Sequence, residues 1–167
     1  MALQLFKIAE TAVESPVSTI TFSSIPQAYT DLKLVVSARS DRASTDDLLN
    51  INFNGVSTNQ SSRWMKGDGS SATSGTYGSN LYLLWIDAAS DTANTFSSNE
   101  MYIPNYAGSN NKSISVDGVL ENNATLATTS LVAGLWSSTA AITQIDITSV
   151  FSAKLQAGST FTLYGVL

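Results

Sequence analysis

The chain has no cysteine and no histidine among its 167 residues. Without cysteine there are no disulfides, no thiol nucleophile and no thiolate metal site. Without histidine the commonest general base near neutral pH is missing, and with it the Ser-His-Asp triad and most zinc or iron sites. Catalysis here would rest on carboxylates, Lys or Tyr alone. Charge is also scarce: Asp, Glu, Lys and Arg make up 13 %, about half the usual share. Eight scattered basic residues stand against thirteen acidic ones, for a net charge of −5. That balance argues against nucleic-acid binding, which needs a basic face to displace counterions. No run of about 18 apolar residues occurs, so no membrane span is expected. The opening "MALQLFKIAETAVESP" is interrupted by Lys7 and Glu10 and has no basic lead. It therefore reads as no signal peptide, and synthesis in a cytoplasm is the expectation.

What is present is apolar content and small neutral polarity. Hydrophobic residues reach 43 %, enough for a sizeable core in a single domain. Ser (26), Thr (18) and Asn (12) together supply a third of the chain. Such a surface suits close packing against protein or polar ligands, because few strongly hydrated charges must be stripped of water. It is equally the ordinary surface of an all-β protein.

The dominant hydrophobic period is two. In "DLKLVVSAR" Leu32, Leu34, Val36 and Ala38 share one face; in "LLNINFNG" Leu49, Ile51 and Phe53 alternate with Asn50, Asn52 and Asn54. Strict alternation marks half-buried antiparallel strands. Further runs fall at 3–9, 17–22, 80–86, 98–104, 112–120, 129–136, 142–151 and 159–166, separated by Gly, Ser, Asn and Pro clusters. Many short strands with long connections predict an all-β antiparallel sandwich, jelly-roll-like. Residues 1–16 form its first strand or an N-terminal arm, and 17–167 form the sandwich. Ser44 or Thr45 with Asp46 and Asp47 predicts a short helical turn over 43–48. The Gly-rich stretch 66–80 and the segment 87–97 read as long mobile loops. In the closing strand, Phe161 and Leu163 are expected to face the core.

Three segments in this order carry a resemblance: "PVSTITFSSIPQAYTDLKLVVSARS" (16–40), "LWSSTAAITQIDI" (135–147) and "AGSTFTLYGV" (157–166). Together they resemble small β-rich structural proteins of tailed bacteriophages. Members are similar to head-decoration (cement) proteins and to domains of tail fibres and other appendages. The resemblance implies a non-enzymatic virion component made in the host cytoplasm, with no cofactor. Its partner would be the major capsid protein or, alternatively, other tail proteins or a host surface glycan. A homo-oligomer is implied, with a trimer as the first guess. The chain has no fibre-like repeat, which favours the decoration reading.

Other chemistry leaves weaker traces. Asp46 with Asp47, Asp87 with Asp91, and Glu100 or Asp117 are the carboxylates a glycoside hydrolase would need, but they form no recognisable constellation. The loops "DRASTDD" (41–47) and "DAASD" (87–91) offer oxygen ligands for calcium, yet neither has EF-hand spacing and both read better as solvated turns. "GDGSSATSG" lacks the Lys-Ser/Thr ending of a phosphate loop. Three Asn-x-Ser/Thr sequons, at Asn59, Asn111 and Asn123, carry meaning only in a secreted protein. Trp64, Tyr77 and Trp85 flank the predicted loops, where they would stack on sugar rings, plug the sandwich end or make an oligomer contact. Leu3, Leu5, Phe6 and Ile8 would be the apolar residues of an inter-subunit arm, or an ordinary first strand.

Overall fold

A computed structural model describes residues 4–121 and 127–167; Leu3 and the sequon at Asn123 lie outside them. The described residues form twelve strands and no helix. In chain order these are β1 (Leu5–Ala12), β2 (Thr19–Phe22), β3 (Asp31–Ser37), β4 (Asp46–Phe53), β5 (Gln60–Gly67) and β6 (Ala72–Thr76). There follow β7 (Tyr82–Asp87), β8 (Ser98–Ile103), β9 (Lys112–Glu121), β10 (Ala127–Trp136), β11 (Ile145–Ser149) and β12 (Thr160–Val166).

All strand pairings are antiparallel, in two sheets. The larger sheet has the order β1-β12-β3-β8-β9-β10-β5-β6, and the smaller β2-β11-β4-β7. The chain changes sheet at every connection except β5–β6, β8–β9 and β9–β10. This is the predicted all-β sandwich. Its core joins inward residues of both sheets: Leu34, Val36, Met101, Val116 and Phe161 from the larger, Ile20, Leu49, Ile51, Leu84 and Ile147 from the smaller. Phe161 and Leu163 are fully buried, as the alternation predicts. β12 lies between β1 and β3, so both of its edges are hydrogen-bonded.

Two motif glycines are explained by packing. Gly165 is covered by the ring of Tyr29, and a Cβ there would come within 2.6 Å of three ring atoms. Gly158 has φ +93°, and a Cβ there would sit 2.8 Å from Phe96.

The sequence expectation fails in three places. The predicted helical turn at 43–48 is the entry to β4: the Asp47 carboxylate accepts from Leu48 N (2.6 Å) and Ser149 Oγ (3.1 Å), a long-range tie that overrides local capping. The predicted loop 66–80 is largely a hairpin. Asp68 turns it, accepting from Ser70 N (2.9 Å) and Ser71 N (2.7 Å), with Gly69 at φ +86°. β6 has no large apolar residue, so period two is invisible in it, and it is held by backbone pairing with β5. The segment 87–97 is irregular as expected but is pinned rather than free. The buried Arg39 guanidinium donates to the carbonyls of Thr92 (2.7 Å), Asp91 (2.8 Å), Thr95 (3.1 Å) and Ala89 (3.3 Å).

Candidate functional site

The hairpin β5–β6 and strand β7 bring the predicted aromatic residues together. Trp64 on β5 stacks on Tyr77 (ring centroids 6.0 Å apart, 27° between planes) and meets Trp85 of β7 edge-on at 6.0 Å. Tyr77 also contacts Tyr82 at 5.3 Å. The Trp64 indole lies across Gly75, its cross-strand partner on β6, where a Cβ would come within 2.8 Å of the ring. Glycine at that position is what lets the indole fold flat.

Charges close the other side of the cluster. Lys66 Nζ lies 4.2 Å from the Trp85 ring centroid and 3.0 Å from Asp46 Oδ2. Arg42 reaches Asp46 Oδ1 at 3.3 Å and the Asp46 carbonyl at 2.7 Å, and stacks 3.4 Å over the Phe151 ring. Between them opens a cleft of about 300 Å³ lined by Arg42, Asp46, Tyr77, Tyr82, Trp85 and Phe151. Burial, with Asp46 nearby, pushes the Tyr77 phenol up to about 12, so it stays a neutral hydrogen-bond donor. Trp64 and Tyr77 spend ring faces on each other and Lys66 covers Trp85, so the cluster first ties the hairpin to the smaller sheet.

Most of the candidate carboxylates have structural partners. Asp47 is buried against Ser149; Asp46 is held by Arg42 and Lys66; Asp68 turns the β5–β6 hairpin. Asp87 is fully buried, accepts from Glu121 N at 2.8 Å, and has its carboxyl raised to about 6, chiefly by burial. The carbonyls of 87–97 that a calcium ion would use converge instead on the Arg39 guanidinium. Among the described residues no three acidic side chains converge as a metal-binding group.

Sequence reasoning missed an exposed apolar surface. On the outer face of the larger sheet Met65, Leu131, Val119 and Leu135 are exposed, Met65 and Leu131 by more than half. They are contiguous: Leu131 lies directly opposite Met65, Val119 directly opposite Thr129, and Leu135 two residues beyond Ala133. A trough of about 600 Å³ opens on this face, lined by Arg63, Met65, Ser74, Ser115, Leu131 and Ala133 among others. The readable signal was "SLVAGLW", which is apolar on both faces of one strand.

A second exposed apolar group lies at the opposite edge of that sheet. Leu5, Phe6 and Ile8 belong to β1, paired with β12 of the same chain; Gln4 and Leu167 exchange backbone hydrogen bonds. Of the residues considered for an arm, Leu5, Phe6 and Ile8 thus lie in a strand of their own chain's sheet. Leu5 and Leu167 remain about half exposed, and Phe6 stacks on Tyr29 at 5.8 Å.

Compared with known proteins, the chain matches no protein-family model and no curated protein.

Proposed function

We propose that this chain is a non-enzymatic structural protein of a tailed-phage virion, and that it cements the capsid by bridging major capsid subunits as a homo-oligomer. The observation that carries the reading is the pair of exposed apolar surfaces near opposite edges of one eight-stranded sheet. A cement protein must bury surface on more than one neighbour, and separate patches on a stiff scaffold serve that task. Each contact can be modest, because repeated engagement raises avidity without new chemistry. Binding the assembled shell and not its free subunits stabilises the shell by mass action. The neutral Ser/Thr/Asn surface keeps the desolvation cost of such contacts low.

The resemblance of segments 16–40, 135–147 and 157–166 to phage structural proteins supports the same setting. So does the strand order. With the added strands β5, β6, β9 and β10 set aside, the sheets read β1-β12-β3-β8 and β2-β11-β4-β7. That alternation of chain between two four-stranded sheets supports a jelly roll with two hairpin-like insertions. The test compares particles with and without this protein under heat, chelation and osmotic shock. The depleted particles are expected to rupture under milder conditions; equal resistance would refute cementing.

A second reading is a tail-appendage module that recognises host glycan. It is favoured by the cleft between Tyr77, Tyr82 and Trp85, with Arg42 and Asp46 as polar partners for hydroxyls. It predicts binding of purified protein to host polysaccharide, lost in Tyr82→Ala and Trp85→Ala.

A further inference from the structure

The outer face around β10 carries an unusual arrangement of charge. Arg63 on β5 lies directly opposite Ala133 of β10, and Asp117 on β9 directly opposite Leu131 of the same strand. The two charges therefore flank β10 on either side, one step apart along it, with Leu131 and Ala133 between them. Both side chains are exposed. Neither makes an ion pair or a side-chain hydrogen bond within the described residues.

Asp117 also has an unfavourable neighbour. Across the sheet it faces Glu100 of β8 directly, a like-charge pairing that costs stability in an antiparallel sheet. Lys33 compensates one of the two acids, reaching Glu100 at 2.7 Å, and leaves Asp117 without a cation. Arg63 stands on the other side of the apolar strip without an anion. A face with an unpaired acid and an unpaired base on either side of an apolar centre is complementary to itself.

We propose that this face binds a second copy of the same chain in a two-fold symmetric contact, with the axis passing between Leu131 and Ala133. In an isologous contact the same patch faces its copy, so each charge meets its opposite. Arg63 of each copy then pairs with Asp117 of the other, giving two equivalent ion pairs around a shared apolar centre. Around the axis Leu131 of each copy packs against Met65 and Leu131 of the other. Two sheets packed face to face stand about 10 Å apart, a gap that side chains of this size fill.

The contact takes one of the two apolar surfaces on which the virion reading rests, and it is tested on the purified chain so that its failure leaves that reading standing. If both are correct, the dimer presents the edge containing Leu5, Phe6 and Leu167 twice, leaving that edge for the shell. The two-fold contact replaces the trimer as the expected oligomer.

The experiment uses charge reversal on the purified full chain, with sedimentation velocity as readout and circular dichroism to confirm folding. The wild type is expected to sediment as a dimer. Arg63→Asp alone and Asp117→Arg alone each place like charges together twice, and each should weaken association by about tenfold or more. The decisive arm mixes the two single variants. In a two-fold contact position 63 of one variant (Asp) meets position 117 of the other (Arg), while native Asp117 and Arg63 meet at the second pair, so the mixture should dimerise again. The double reversal should also restore the dimer. A monomeric wild type at tens of micromolar overturns the proposal, as does a dimer indifferent to both reversals. Loss in the single variants without recovery in the mixture assigns the charges to a different contact and overturns the two-fold arrangement. A monomer whose capsid binding is lost in Arg63→Asp gives the face to the shell and overturns self-association.

Discussion

Tyr29 lies flat over Gly165, so two segments more than a hundred residues apart in sequence meet as one contact. Tyr29 follows the "SSIP" turn and Gly165 sits in "LYG" of the closing strand. Their co-occurrence is thus a packing requirement. Gly165→Ala is expected to destabilise the domain by about 1–3 kcal/mol, the usual cost of overpacking a filled site. Thermal unfolding of Gly165→Ala, alone and combined with Tyr29→Ala, checks this. The alanine should cost much less once the ring is gone, and equal costs in both backgrounds would contradict the contact.

Arg39 organises the segment 87–97 through four carbonyls, a role neither Lys nor a neutral side chain can reproduce with one planar fork. Arg39→Lys should leave the sandwich folded and loosen this segment selectively. Hydrogen exchange would show faster exchange within 88–97 and little change in β3 or β12. Uniform protection across both proteins would count against the role.

Asp87 supplies a pH signature. Its carboxyl is raised to about 6 from 3.8: burial is the largest cause, Asp91 and Glu121 add to it, and the Glu121 N–H and Arg39 oppose it. A raised carboxyl binds its proton more tightly folded than unfolded, so stability from this group increases as pH falls from about 7 to about 4. Asp68 acts in the opposite sense, lowered by hydrogen bonds from Ser71 and Ser70, and its contribution is lost as pH falls toward and below its ordinary value of 3.8, so it opposes Asp87 only at the acid end of the range. Urea denaturation between pH 4 and 7 should therefore show a negative slope of stability against pH that Asp87→Asn flattens. An unchanged slope in the variant would refute the assignment.

Trp64 and Gly75 test the aromatic cluster. Gly75→Ala would push the indole off β6 and weaken its stacking on Tyr77. The expected result is loss of near-ultraviolet dichroism and a lower melting temperature, with the far-ultraviolet spectrum retained. An unchanged near-ultraviolet signal would contradict the geometry.

Much of this architecture could be read from alternation alone, and the reason is burial on one face. β3, β9 and β12 each present one face to the core, so Leu32, Leu34 and Val36, or Ile114 and Val116, fall every second residue. β5 and β6 escaped because their order comes from other strands: Trp64 over Gly75, and backbone pairing of Ala72–Thr76 with β5. The helical turn at 43–48 failed because Asp47 is spent on Ser149, a hundred residues away. Trp64, Tyr77 and Trp85 were legible as a group by type, whereas the apolar outer face was not. Met65 and Leu131 become neighbours only once β5 and β10 pair, and no local pattern encodes that register.

The most direct measurement is the number of copies of this protein in a purified virion relative to the major capsid protein. The account predicts a stoichiometric ratio, of the order of one copy per one or few capsid subunits, with the protein released when the shell is disrupted. A handful of copies that travel with detached tails would contradict it.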